Sequence, residues 1–126
     1  MTTQEGYIAG VCNIGPDEIR RRKRAGWFGL AATFAVCAAL LWLDAPALWR
    51  LTLFFPATAS AIGLVQAHKR FCAYFGFSAL FNFGKAGEPR TVDSEEFRPR
   101  DRLQASKILT ASTVIGLAVA SLSLIL

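Results

Sequence analysis

Charged residues are missing from three long stretches of this 126-residue chain, residues 25–43, 51–67 and 108–126. They make up 18% of the whole sequence, whereas they form about a quarter of a typical soluble domain. A bilayer core about 30 Å thick is crossed by about 20 helical residues. The first and third stretches reach that length, and the second reaches it if it extends back past Arg50 with that side chain snorkelling to the headgroups. We therefore predict a single-domain, all-α integral membrane protein with three transmembrane helices.

Motifs of the common enzyme classes are also missing. The sequence has no phosphate-binding glycine loop, nucleophile elbow or zinc-enzyme motif. Cys37 is the one titratable residue in the three uncharged stretches, whereas pumps and coupled transporters usually place ionisable groups within the membrane. Five polar residues there could line a path, although they more often bond within a bundle: Thr58, Ser60, Gln66, Thr110 and Thr113. These absences favour a non-enzymatic protein, and we assign it no cofactor.

Basic residues are concentrated beside the first stretch, as Arg20, Arg21, Arg22, Lys23 and Arg24. The positive-inside rule places this end in the cytoplasm, and each cation near the surface attracts anionic headgroups by about 1 kcal/mol. We expect a bacterial-type inner (plasma) membrane protein whose N-terminus is cytoplasmic and whose C-terminus lies on the opposite side. The net charge of +5 then reflects membrane orientation and anionic lipid, and we predict no nucleic-acid partner.

The order of turn and charge signals divides the chain into six segments. Pro16, followed by Asp17 and Glu18, is typical of a helix start. We predict an N-terminal tail or short surface strand (1–15), a basic helix that continues into the first span (16–43), a second span kinked at Pro56 (46–70), an interfacial aromatic-rich segment (71–84), a solvated cytoplasmic loop (85–106) and a third span (107–126). Residues 71–83 contain no Lys or Arg, which disfavours the alternative that their aromatic rings stack on single-stranded nucleic acid.

Each predicted span carries small residues four positions apart. Since lipid supplies little hydrophobic drive between helices, close approach of such faces favours packing. The three ladders are Gly29, Thr33 and Cys37; Ala59, Gly63 and Ala67; and Ser112, Gly116 and Ala120. They predict a compact bundle or an oligomer.

Three residues on the expected cytoplasmic side could carry chemistry: Cys12, His68 and Cys72. His68 and Cys72 share a helical face if the second helix continues past the bilayer, and thiolate and imidazole ligands suit zinc or copper. The alternative for His68 is an interfacial anchor, which we favour. For Cys72, the neighbours Lys69 and Arg70 could activate the thiol, whereas packing among aromatic rings would do the opposite.

Residues 12–84 resemble a known family. The similarity rests on Asn13-Ile14-Gly15 before a basic helix, a hydrophobic hairpin, and Gly63 followed by Phe71-Cys72-Ala73-Tyr74. This pattern is similar to a small bacterial inner-membrane two-helix domain that occurs alone or fused to a rhodanese sulfurtransferase. The resemblance implies a membrane hairpin that can dimerise. Here Ala73 stands where the family usually has proline, and the third span is additional.

Taken together, these features predict a small non-enzymatic multi-pass membrane protein. It would serve as an accessory, assembly or scaffolding subunit of a larger membrane complex, or self-associate. The alternative is thiol-dependent sulfur or metal handling at the cytoplasmic face through Cys72 and Cys12. A third possibility is a small channel or carrier formed by an oligomer.

Overall fold

The computed structural model describes residues 6–126 of the chain, so the first five residues of the predicted tail lie outside it. The structure is mostly helical. Its elements, in chain order, are α1 (Pro16–Trp42), a 3-10 segment (Ala47–Leu53), α2 (Phe54–Lys69), α3 (Ala73–Ser78), β1 (Leu80–Phe81), β2 (Arg90–Thr91), a 3-10 turn (Glu95–Phe97) and α4 (Arg98–Ser123).

Three helical segments are long and apolar enough to cross a membrane, as predicted: Pro16–Trp42, Ala47–Lys69 and Glu95–Ser123. The predicted helical class is confirmed in the main, and β1 and β2 add a two-stranded antiparallel sheet in which Leu80 pairs with Thr91. This small sheet lies between α3 and α4 in the chain, outside the three apolar helices.

The predicted second span is helical from Ala47 to Lys69. Residues 47–53 form a 3-10 segment and α2 begins at Phe54, so Pro56 lies in the first turn of α2, just after the change from 3-10 to α geometry. Proline is tolerated in the first turn of an α-helix. The kink at Pro56 stays a prediction.

The three apolar helices form a layer with α2 in the middle. α1 and α4 each pack along α2, and their contact with one another is slight. A groove therefore remains between α1 and α4, and α2 forms its back wall. Within one chain this layer is more open than the predicted compact bundle, and it leaves room for the predicted alternative, an oligomer.

Two glycines allow α1 and α2 to approach backbone to backbone. A Cβ atom at Gly63 would lie 2.8 Å from the amide nitrogen of Gly26 and 2.8 Å from the carbonyl oxygen of Arg22. The Ser60 hydroxyl donates a buried hydrogen bond of 2.7 Å to the carbonyl oxygen of Gly26. This contact resembles the close small-residue faces by which helices associate in lipid.

The residues at the ends of the helices nearest to the basic run fold into a small compact unit, which we call the cap and define as residues 6–24 and 66–106. Its interior holds three apolar clusters. The first cluster has the buried members Phe71, Ala73 and Ala105, together with Ile108 of α4 just beyond the cap. The buried members of the other two are Tyr7, Phe81 and Val92, and Ile14, Cys72 and Phe75. The cap therefore has a core of its own.

The cap corrects parts of three predicted segments. Within the predicted tail, residues 6–15 pack against the rest of the cap, because Tyr7 and Ile14 are buried. Within residues 71–84, Phe71 is buried in protein, whereas Tyr74 and Phe77 are exposed. Within the predicted loop, Val92 is buried and α4 already begins at Arg98, while residues 87–91 are exposed. Burial of these apolar side chains against one another stabilises the cap.

A buried acid fastens the N-terminal segment to α4. The Tyr7 hydroxyl donates a hydrogen bond of 2.5 Å to Asp101, and the backbone N–H of Gly10 donates a second of 2.8 Å. Burial raises the pKa of Asp101 above its ordinary value, although both donors act in the opposite direction. Burial, and then the bond to Asp101, raises the pKa of Tyr7.

Candidate functional site

Cys72 lies at the junction between α2 and α3, where its backbone is held from two sides. The side chain of Asn13 accepts a hydrogen bond from Cys72 N at 2.7 Å and donates one to Cys72 O at 3.2 Å. Next to it, the Ala73 N–H donates to Gln66 Oε1 at 2.7 Å. These amide side chains fix the turn after Arg70, whose left-handed backbone ends α2. Sequence reasoning assigned no such role to Asn13.

The Cys72 thiol is buried beside an arginine. Arg22 Nη2 lies 3.0 Å from Cys72 Sγ, and Cys72 is 3% exposed. The guanidinium also lies over the Phe75 ring, 5.2 Å from its centre. A charged donor therefore faces the sulfur, and it comes from α1 rather than from the neighbouring Lys69 and Arg70 that the sequence suggested.

Glu18 balances the charge of Arg22 inside the cap. Its carboxylate accepts hydrogen bonds from Arg22 Nη1, from Asn82 Nδ2 at 2.7 Å and from Gly87 N at 3.0 Å. Burial by itself raises the pKa of Glu18, but the donors from Gly87, Asn82 and Arg22 outweigh it, so that the pKa lies below its ordinary value. The result is a buried, hydrogen-bonded ion pair between Glu18 and Arg22. The sequence predicts Glu18 only as part of a helix start and does not indicate this pair.

A groove of about 600 Å³ opens beside this ion pair. We define it by Ala25 on α1, Ile62 on α2 and Leu109 on α4, with Arg21 and Arg22 at the cap end. Tyr74 and Phe77 of α3 also line it. The groove runs from the polar cap into the apolar layer of helices.

The three candidate metal ligands do not come together. Cys12 and His68 line one pocket of about 610 Å³, together with Arg70, whereas Cys72 lines the groove. In the part of the chain that the structure describes, no group of three or more His, Cys, Asp or Glu side chains could hold a metal ion. Burial raises the pKa of Cys12, which opposes its use as a thiolate ligand. The geometry therefore does not assemble the predicted metal site.

The five basic residues of α1 do not act alike. Arg20, Arg21, Lys23 and Arg24 are exposed, while Arg22 turns inward and its side chain is 15% exposed. An arginine that is already paired with Glu18 is poorly placed to contact a headgroup. The prediction that Arg22 binds anionic lipid is therefore wrong, and the other four basic residues stay available for headgroups.

Most of the predicted packing residues lie at contacts between helices, and one does not. Ser112, Gly116 and Ala120 are all buried on α4, and a side chain at Gly116 would overlap Thr58 of α2. On α2, Gly63 is buried at α1 and Ala67 is half-buried. Ala59 is exposed, so it takes no part in packing within the chain. In its place Ser60 faces α1.

Comparison of the chain with protein-family models, with curated proteins and with solved structures gives no match.

Proposed function

We propose that this chain is a small, non-enzymatic multi-pass membrane protein that acts as an accessory, assembly or scaffolding subunit of a larger membrane complex or of a homo-oligomer. One observation carries the proposal: the polar side chains of the cap serve its own structure. Glu18 binds Arg22, Asn13 holds the backbone of Cys72, and Asp101 binds Tyr7. Groups engaged in this way stabilise a fold and present little to a substrate.

The outer surface of the helices supports the same proposal. Large apolar side chains point outward along all three, among them Phe28, Phe34, Trp42, Phe55, Val114, Leu117 and Leu122. Such a surface is stable in lipid or against another membrane protein. Within residues 6–126, the long helices that flank α2 are α1 and α4. The exposed Ala59 of α2 therefore offers a place where a further helix could pack closely.

For the orientation we propose an inner (plasma) membrane with the cap in the cytoplasm and the end of α4 on the opposite side. The exposed residues Arg20, Arg21, Lys23 and Arg24 support this, because basic residues beside a span favour the cytoplasmic side. Arg50, at the other end of the layer, donates hydrogen bonds to the carbonyl oxygens of Ser123 and Leu126. That arginine is therefore occupied in closing the end of α4.

Thiol-dependent sulfur chemistry is a second candidate, favoured by one contact. The Arg22 guanidinium faces Cys72 Sγ at the edge of the groove, and a neighbouring cation is typical of reactive cysteines. Against it stands the 3% exposure of Cys72. Thiol chemistry requires that a substrate reach this sulfur, whereas a scaffolding role does not.

The scaffolding proposal predicts a defined assembly. The full chain, purified in mild detergent, should migrate on native gels as a species larger than a monomer, with a second copy or a stoichiometric partner. Ala59→Leu should reduce that species because its larger side chain obstructs close packing, whereas Ala38→Leu, exposed on α1, should leave it intact. A monomer at every concentration, with no partner co-purifying from native membranes, would refute the proposal.

Thiol labelling separates the second candidate from the first and also tests the orientation. In inside-out vesicles, a membrane-impermeant maleimide should modify Cys12, which is half-buried, at least tenfold faster than the buried Cys72. In right-side-out vesicles both should remain unmodified until detergent is added. Mass spectrometry of the peptides gives the rates. Fast modification of Cys72 would favour the thiol function, and labelling of Cys12 from the outside would reverse the orientation.

A further inference from the structure

We infer that the groove between α1 and α4 is a binding site for one phospholipid with an anionic headgroup, its phosphate at Arg21 and one acyl chain lying against Ala25, Ile62 and Leu109. This goes beyond scaffolding, since a single chain would bind the lipid whether or not it assembles with a partner.

The shape of the groove suits an amphipathic ligand. Its volume of about 600 Å³ falls within the range of about 300–1,000 Å³ that is usual for ligand sites. The wall formed by Ala25, Ile62 and Leu109 continues the apolar layer, and these residues come from three different helices. A hydrocarbon chain entering from the bilayer would meet no charged group along this wall.

Charge at the cap end selects an anion. Arg21 is exposed, lines the groove and makes no ion pair with any residue in the range 6–126. Glu18 also lines the groove, but its carboxylate is covered by donors from Arg22, Asn82 and Gly87. Arg21 is therefore the available charge, and an arginine fork matches the oxygens of a phosphate.

Two partly exposed aromatic side chains line the groove. Tyr74 is 67% exposed and Phe77 is 46% exposed beside it. Aromatic side chains that are partly buried against protein and partly exposed are common at the membrane–water interface. Lys23 and Arg24 are exposed close by on α1, which further raises the local concentration of anionic lipid.

The test uses the full chain in a neutral detergent and measures lipid adducts by native mass spectrometry. The probes are phosphatidylglycerol, phosphatidylcholine with the same acyl chains, and inorganic phosphate. We expect one phosphatidylglycerol per chain, bound at least fivefold more tightly than phosphatidylcholine, and no retained phosphate. Equal affinity for the two lipids would overturn the charge argument. Retention of phosphate alone with the affinity of the lipid would overturn the assignment to a lipid.

Two matched pairs of variants locate the site. Arg21→Gln should weaken phosphatidylglycerol binding about fivefold, the effect of one cation near a headgroup, whereas Lys23→Gln removes the same charge outside the groove and should change it less than twofold. Ala25→Phe should obstruct the wall, and Ala31→Phe, also exposed on α1, should not. Equal losses within either pair would mean that lipid binds the helix surface generally, and the inference would fall. Because these measurements use the isolated chain, their failure is distinct from failure of the scaffolding proposal.

Discussion

Replacing Arg22 with glutamine is expected to lower the free energy of unfolding by about 3–5 kcal/mol, the usual cost of removing one partner of a buried ion pair. Glu18 is 1% exposed, so the variant would leave its carboxylate buried with only the donors from Asn82 and Gly87. The contacts of Arg22 with Cys72 and Phe75 would be lost as well. Thermal or denaturant unfolding in detergent measures the change.

Arg20→Gln is the matched control. It removes the same charge from the same helix, but the Arg20–Asp17 pair is exposed, with side-chain exposures of 65% and 39%, and exposed pairs contribute little to stability. The deficit of Arg22→Gln should also depend on pH. Since the wild-type pKa of Glu18 is lowered, the ion pair stabilises the fold above the ordinary value of 4.5, and the difference between wild type and variant should shrink as the pH falls below it. Equal losses in the two variants would show that the ion pair contributes nothing beyond general surface charge.

Gly63→Ala is expected to destabilise the contact between α1 and α2 by about 3 kcal/mol, at the upper end of ordinary overpacking. The added Cβ would meet the backbone of Gly26 and the carbonyl oxygen of Arg22, both at 2.8 Å. Backbone atoms cannot move aside as a flexible side chain can, so the two helices must separate. Their separation would also weaken the hydrogen bond from Ser60 to Gly26.

The measurement is again unfolding of the purified chain, at a protein concentration low enough to keep it monomeric. Ala59→Leu adds more volume to the same helix at an exposed position, and it should change the stability of the monomer by less than about 0.5 kcal/mol. If Gly63→Ala is as stable as the wild type, α1 and α2 do not pack at this glycine, and the layer described here is wrong.

The three long apolar helices could be predicted from sequence because their signal is local. An uncharged stretch of about 20 residues and the Pro16 start signature are sufficient, and α1 ends within one residue of the predicted boundary. The small-residue spacing also indicated Gly63 and Gly116, both of which lie at helix contacts. Which of two neighbouring residues faces a partner helix depends on the rotation of the helix about its axis. The four-residue spacing does not determine that rotation, so it predicts Ala59 where Ser60 makes the contact.

The cap could not be predicted because its bonds join distant parts of the chain. Asn13 pairs with Cys72 and Asn82 pairs with Glu18, across 59 and 64 residues. Single polar residues in polar segments carry no periodic pattern. The separation of the candidate metal ligands has the same cause: His68 and Cys72 share a helical face only if α2 continues, and it ends at Lys69.

The bond between Tyr7 and Asp101 has a consequence for the order of folding during synthesis. These residues are 94 positions apart, and chain emerges from the ribosome at about 5–20 residues per second. The N-terminal segment must therefore wait at least several seconds before its partner on α4 exists. In that interval α1 and α2 can already pair through Gly26 and Gly63, and Ile14 can already meet Cys72 and Phe75, whereas Tyr7 still lacks Asp101. The contact between α1 and α2 can thus form first, and the attachment of Tyr7 to α4 forms last.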